Sequence, residues 1–209
     1  MITDWIAVNY IEIFGALAGI LYVLLEIRQN VWLWPVGILT SAAYIWIFFT
    51  GKLYADMGLQ VYYLVISIAG WYWWLQKEEG LSVQEDQGRM TVKEARLHVT
   101  RLRLKTGIIL SIVFIILYSA MALVLMRFTD SPVPGWDSFI TSLSVIATWM
   151  LARKIFEHWY LWVLINFTAA ILFFTRGLYP TVILYMIYCI MSFAGIREWR
   201  RSLAEHVKP

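Results

Sequence analysis

Cysteine occurs once, at Cys189 inside an apolar run, which excludes a disulfide within the chain and a cysteine metal cluster. Histidine is nearly as scarce: His98, His158 and His206 are scattered without ligand spacing, so no metal site is expected. No glycine-rich loop carries the lysine that would cradle a nucleotide's phosphates, so nothing points to ATP hydrolysis. Charged residues make up 15% of the chain and are gathered in a few patches. The first ten residues, MITDWIAVNY, lack a basic n-region and a small-residue cleavage site, so no removable signal is expected there.

What remains is apolar. Of 209 residues 61% are hydrophobic, and the mean hydropathy is +0.67. A soluble domain of this size has no interior large enough for so much apolar surface, so lipid must be the solvent. Seven segments are long enough to cross, at roughly 10–27, 31–50, 56–76, 106–126, 136–152, 157–175 and 178–198. Backbone groups within lipid must be satisfied inside each segment, so these are helices, and the alternation of a membrane β-barrel is absent.

Seven crossings sort the basic residues sharply. Of the 17, only Lys52, Arg127 and Arg176 fall on one side, and all others fall on the opposite one. Positive charge favours the cytoplasmic face, which puts the N-terminus outside and the C-terminus inside a bacterial inner (plasma) membrane. This distribution also accounts for the net charge of +3 without nucleic acid as a partner. The basic connector 77–105 contains TVKEARLHVTRLRLKT, which reads either as an interfacial helix on the anionic inner leaflet or as a solvated, topogenic linker.

The chain repeats itself. FFTGKLY at 48–54 and FFTRGLY at 173–179 agree at five of seven letters, at an offset of 125. The same offset pairs Glu12 with Asp137, Arg28 with Arg153, Trp34 with Trp159, Gly70 with Gly195 and Trp74 with Trp199. Residues 12–74 and 137–199 are therefore read as two copies of a three-helix unit. The run GIILSIVFIILYSAMALVLM supplies an additional crossing, which leaves the copies parallel. The expected organisation is a first repeat over 1–76, the connector 77–105, a linker helix 106–126, a second repeat 127–199 and a cytoplasmic tail 200–209. The expectation is an all-α membrane protein of 3+1+3 helices, a parallel-repeat arrangement similar to that of the SWEETs, in which duplicated units usually flank a substrate path.

Four helices carry polar and aromatic stripes. Trp159, Trp162 and Asn166 share one face of the sixth helix, and Trp34, Gly37 and Ser41 are their partners in the second. Gln60, Tyr63, Ser67, Trp71 and Trp74 run down one face of the third, opposite Tyr185, Tyr188, Ser192, Ile196 and Trp199 of the seventh. The two amides break the symmetry, since Asn166 corresponds to Ser41 and Gln60 to Tyr185. Such a diagonal pair suits an asymmetric ligand. The plainer role for each amide is an interhelical hydrogen bond, worth about 0.6 kcal/mol in a membrane.

With twelve tryptophans and twelve tyrosines there are more rings than one site can use. Trp5, Trp32, Trp73, Trp136 and Trp199 lie near segment ends and read as interface belts. Indole and phenol faces inside a cavity would hold a flat ring, and a cationic ring gains about 0.5–2 kcal/mol per well-placed pair. No charged residue falls in the middle third of a span, and Glu12, Glu26, Asp56 and Asp137 stand at the margins. Ion-coupled carriers keep a buried carboxylate, so facilitated diffusion of a neutral or delocalised cationic ligand is the simplest expectation. No nucleophile, metal set or carboxylate pair is visible within the bilayer, so neither enzyme activity nor a cofactor is expected.

The run LYADMGLQVYYLVISIAGWYWW, the WDS at 136–138 and the block LARKIFEHWYLWVLIN resemble the PnuC family of vitamin transporters. The resemblance covers nearly the whole chain apart from the 77–105 connector and the tails. It implies a homotrimer that takes up nicotinamide riboside, trapped inside by a cytoplasmic kinase. It also implies Gln60, Trp159, Trp162 and Asn166 as ligand contacts. With the stripes, the full candidate set adds Tyr63, Trp34, Ser67, Tyr188 and Trp71. Riboside members often carry asparagine where this chain has Ser67 and Ala194. A closely similar thiamine branch, PnuT, offers an alternative cargo with no ribose, and a non-transporting membrane scaffold is the remoter alternative.

Overall fold

The computed structural model describes the backbone of residues 2–50, 54–78, 83–86, 89–92, 95–129 and 131–205, and the side chains of 15–50, 56–76, 97–129 and 131–204. Its helices are α1 (Ile2–Ile27), α2 (Leu33–Thr50), α3 (Tyr54–Leu75), α4 (Leu104–Phe128), α5 (Pro134–Ala152), α6 (His158–Thr175) and α7 (Tyr179–Glu205). Each overlays one of the seven expected segments. The side chains of Trp5 and Glu12, on which their belt and margin positions depend, and the loop residues Gly51, Lys52 and Leu53 lie outside what is described. By length and composition, α2, α4, α6 and α7 are apolar enough to cross a membrane. α3 and α5 carry the tyrosines, serines and threonines that face inward, which lowers their mean hydropathy.

Helix boundaries repeat at the offset of 125. α2 and α6 begin at Leu33 and His158 and end at Thr50 and Thr175, while α3 and α7 begin at Tyr54 and Tyr179. α1 and α5 end at Ile27 and Ala152. The turns that follow match as well: Gln29 and Lys154 both take left-handed backbone, with φ of 50° and 49°. That conformation is uncommon for a side-chain-bearing residue, so its recurrence at one repeat pair is a specific trace of duplication. In each copy an indole lies flush on a glycine, Trp34 on Gly70 and Trp159 on Gly195, where a Cβ would overlap the ring.

The copies pack reciprocally, α1 on α7 and α3 on α5. At one end of the bundle the Trp74 indole N–H donates to the carbonyl of Ala152 at 3.2 Å, and the Trp199 indole N–H donates to the carbonyl of Glu26 at 3.1 Å. The C-terminal ends of α1, α3, α5 and α7 therefore meet at the same end, as parallel copies require. Arg153 and Lys154 cap this seam, 4.9 Å and 4.4 Å over the Trp73 and Trp74 rings. Trp199 is fully buried here, so it is a seam residue and not an interface belt. Its ring sits too far inside the α1–α7 contact to reach headgroups. Replacing Trp199 with phenylalanine leaves the Glu26 carbonyl with only its bond from the Gln29 N–H and is expected to cost about 0.5–1.5 kcal/mol. Thermal unfolding in detergent reads this loss, and Trp74→Phe should lose a similar amount.

α4 packs chiefly on α5 and shows lipid a row of apolar side chains that includes Ile108, Ile112, Ile115 and Ile116. Among the described residues of the connector there is no interfacial helix. Lys77–Glu78 (β1) pairs with Ala95–Arg96 (β4), and Val83–Asp86 (β2) with Arg89–Val92 (β3), both antiparallel. In β3 the apolar Met90 and Val92 alternate with Arg89 and Thr91, a period of two that suits extended chain. The far end of the connector is anchored: Thr100 exchanges backbone hydrogen bonds with Lys154 and Phe156, and Glu157 accepts from the Leu102 N–H at 2.7 Å.

Candidate functional site

A cavity of about 380 Å³ lies between the two copies, lined by every helix except α4. α6 contributes Trp159, Trp162, Ile165 and Asn166, and α3 contributes Gln60, Tyr63 and Ser67. α7 adds Tyr185, Tyr188 and Ser192, and α2 adds Gly37, Thr40, Ser41 and Tyr44. The helical spacings of 3, 4 and 7 put these side chains on inward faces, as the stripes require.

Seven of the nine candidate residues meet in this cavity: Gln60, Tyr63, Ser67, Trp159, Trp162, Asn166 and Tyr188. Trp34 and Trp71 do not. Trp34 is fully buried behind the cavity wall, edge-on to Trp74 at 5.3 Å and flush on Gly70. Trp71 is 38% exposed on the outer face. An ideal helix keeps Trp71 within about 20° of Gln60, but eleven residues put it about 16 Å further along α3, beyond the last α3 residue of the cavity lining, Ser67. Of the two departures from the riboside pattern, Ser67 lines the cavity, whereas Ala194 is exposed on the outer surface.

The polar atoms show what the cavity can hold. The Asn166 side-chain N–H donates to the Ser192 hydroxyl at 3.2 Å, and that hydroxyl donates to the Tyr188 carbonyl at 2.8 Å. The indole N–H groups of Trp159 and Trp162 are buried without a partner. A buried donor left unmatched costs about 1–3 kcal/mol, which an acceptor on a bound molecule would recover. Indole faces, two amides and several hydroxyls thus surround a space of small-molecule size.

α1 and α5 also reach the cavity, which the four-helix reading missed. α1 supplies Gly15, Ala18, Gly19, Tyr22, Val23 and Glu26, and α5 supplies Ile140, Ser144 and Thr148. The four-residue steps Tyr22–Glu26 and Ser144–Thr148 were the signal available in the sequence. Glu26 stands at a segment margin, yet it is only 2% exposed. Its carboxylate lies 3.1 Å from Nε2 of the fully buried His158, whose Nδ1 is 2.6 Å from the Ile155 carbonyl. Nothing in the spacing of residues 132 positions apart announces this pair.

A second cavity of about 360 Å³ includes Asp56 and Asp137 in its lining, both in the first turns of their helices. Ile140 and Tyr185 line both cavities and so form the partition between them. Tyr185 is stacked on Phe173 at 5.3 Å and stands edge-on to Tyr188 at 5.9 Å. Among the described residues no group of histidine, cysteine or carboxylate side chains could hold a metal ion.

Comparison with known proteins agrees with this architecture. The family described as nicotinamide mononucleotide transporter matches residues 9–201. The nicotinamide riboside transporter PnuC of Escherichia coli is 29% identical, over 94% of this chain and 87% of its own length. The riboflavin/roseoflavin transporter RibM of Streptomyces davaonensis is 24% identical, over 90% of this chain and 83% of its own. A crystal structure of the vitamin B3 transporter PnuC superposes with a TM-score of 0.68 at 18% identity, covering 95% of this chain and 83% of that one.

Proposed function

We infer, for a chain that belongs to the nicotinamide mononucleotide transporter family, that the central cavity binds a flat cationic B-vitamin precursor and passes it across the membrane by facilitated diffusion. Nicotinamide riboside is the default cargo, in keeping with the E. coli relative. The observation that carries this reading is the set of unpartnered indole donors on Trp159 and Trp162 beside Asn166 and Gln60. The indole faces hold the ring by stacking and cation–π attraction, while the amides meet polar groups at its edges. Tyr63, Ser67 and Tyr188 complete the contact set.

Charge favours the riboside over its phosphorylated form. Glu26 is the only charged residue in the described cavity lining, and neither lysine nor arginine is there to meet a phosphate. Such a site would take the dephosphorylated precursor and leave phosphorylation to a cytoplasmic kinase, which traps the cargo inside. Ser67 favours the second reading, thiamine: a hydroxyl there offers less to ribose than an amide would. The gathering of Arg153 and Lys154 at the seam end supports a cytoplasmic location for that end. On this reading the N-terminus is outside, the C-terminus is inside and the membrane is the bacterial inner one. Assembly as a homotrimer follows from the family resemblance.

Tryptophan fluorescence of the purified protein, titrated with nicotinamide riboside and thiamine side by side, tests the reading. Saturable quenching by the riboside supports the default. Quenching by thiamine alone moves the chain to the thiamine branch and makes Ser67 the deciding position. Silence from both would sink the aromatic cavity as a binding site.

A further inference from the structure

The two copies differ most where they meet the cavity. Leu151 and Leu33 hold the repeat positions of Glu26 and His158, and α1 departs from α5 in a second way. Its cavity face carries Gly15 and Gly19, where the offset of 125 puts Ile140 and Ser144 on α5. The helices packed beside them are matched in reverse. Tyr44 of α2 corresponds to Ala169 of α6, so one copy sets a glycine against a tyrosine where the other has an isoleucine and an alanine.

Both phenols rest on the bare helix. A Cβ at Gly15 would come within 2.6 Å of the Tyr44 hydroxyl, and one at Gly19 would overlap the hydroxyl of Tyr188. Ring contacts hold them there: Tyr44 stacks on Phe48 at 5.7 Å, and Tyr188 stands edge-on to Tyr185 at 5.9 Å. Tyr44 and Tyr188 are near enough to interact electrostatically, and both line the cavity. The other copy shows what a side chain on the helix would do. Tyr63, the repeat partner of Tyr188, has the Ser144 hydroxyl as a hydrogen-bond partner, and Ser144 is the repeat partner of Gly19. At Gly19 there is no side chain to engage Tyr188, and its hydroxyl is kept for the cavity. A fold that accepts isoleucine and serine on α5 has no general packing need for two glycines on α1.

Position along the bundle separates these hydroxyls from the indoles. Trp159 and Trp162 lie in the first turns of α6, beside the seam formed by Glu26 and Trp199. Gly19 and Gly15 precede Glu26 by seven and eleven residues of α1, which puts them about 10 Å and 16 Å from that seam. The cavity therefore has an indole end and a hydroxyl end.

We propose that Gly15 and Gly19 make α1 the specificity wall of the site: they seat the phenols of Tyr44 and Tyr188 so that both hydroxyls meet the hydroxylated arm of a cargo whose ring lies on the indoles. A phenol hydroxyl both donates and accepts, which suits an alcohol and gains nothing from a methyl group. Tyr44, absent from the nine candidates of the sequence, becomes a cargo contact. The inference rests on the cationic-cargo reading above. Both cargoes named there carry such an arm, ribose in one and a hydroxyethyl group in the other.

The test pairs each cargo with a counterpart lacking the arm. Tryptophan fluorescence of the purified full chain is titrated with nicotinamide riboside and 1-methylnicotinamide, and with thiamine and its analogue bearing ethyl in place of hydroxyethyl. Tyr44→Phe and Tyr188→Phe keep the rings on their glycines and remove only the hydroxyls. For whichever cargo the wild-type protein binds, each should weaken the hydroxylated cation about three- to tenfold and spare its arm-less counterpart. Gly15→Ala should weaken the hydroxylated cation as well, yet add nothing in the Tyr44→Phe background, because the Tyr44 Cζ lies 4.0 Å from the added methyl. Equal losses for the two members of a pair, or no loss, overturn the specificity wall and leave the proposed function standing. So do additive losses in Gly15→Ala with Tyr44→Phe, which decide alone where the arm-less cation binds too weakly to titrate. Absence of saturable binding of both hydroxylated cations by the wild-type protein overturns both readings.

Discussion

Uptake is expected to fall about ten- to a hundredfold when Asn166 is replaced by leucine, with the folded protein nearly as stable as before. The uptake loss corresponds to a buried hydrogen bond to the cargo that can no longer form. The small stability effect follows from the contacts. Asn166 donates to Ser192 at 3.2 Å, and such interhelical bonds are worth only about 0.6 kcal/mol in a membrane. Ser192 also keeps its own bond to the Tyr188 carbonyl. Transport assays in vesicles and unfolding curves in detergent separate the two effects. A large drop in melting temperature with a parallel loss of uptake would make Asn166 a structural amide and favour the scaffold reading.

Gly195→Ala is expected to cut cargo binding about tenfold or more, and Gly70→Ala to cut it far less. Each added methyl overlaps an indole lying on the glycine, Trp159 in one case and Trp34 in the other. Overpacking of this kind costs about 1–3 kcal/mol, so both variants should unfold at lower temperature. They differ in which ring must move. Trp159 lines the cavity, whereas Trp34 is buried behind it. Equal losses of binding in the two variants would show that Trp34 belongs to the site after all.

Periodicity made the helices legible because lipid leaves the backbone no alternative, and the ungapped repeat made their ends legible twice over. The amides were legible for the same reason: Gln60 and Asn166 stood out against copies holding Tyr185 and Ser41. Trp34 and Trp71 were misplaced because a stripe on one helix does not say how far round or along it the neighbours reach. The connector's strands were hidden by charge, which drew attention to the lipid surface and away from the period of two. Glu26 and His158 were the hardest to foresee. Each looks unremarkable at the end of its own helix, and only the packing of α1 on α7 and the entry of α6 beside them bring the two together.

The crossed indole bonds of the seam, Trp74 to Ala152 and Trp199 to Glu26, are the contacts of a two-fold dimer closed within one polypeptide. Two identical three-helix chains would present every side chain to the cavity twice. A symmetric ancestor could offer two carboxylate–imidazole pairs or none, and two asparagines or none. Fusion through α4 removed that constraint. One half now keeps an amide on α6 and the other an amide on α3, while leucines stand opposite the polar pair. An asymmetric molecule entering a two-fold site has two equivalent poses and must choose between them at random. In this fused site it has one.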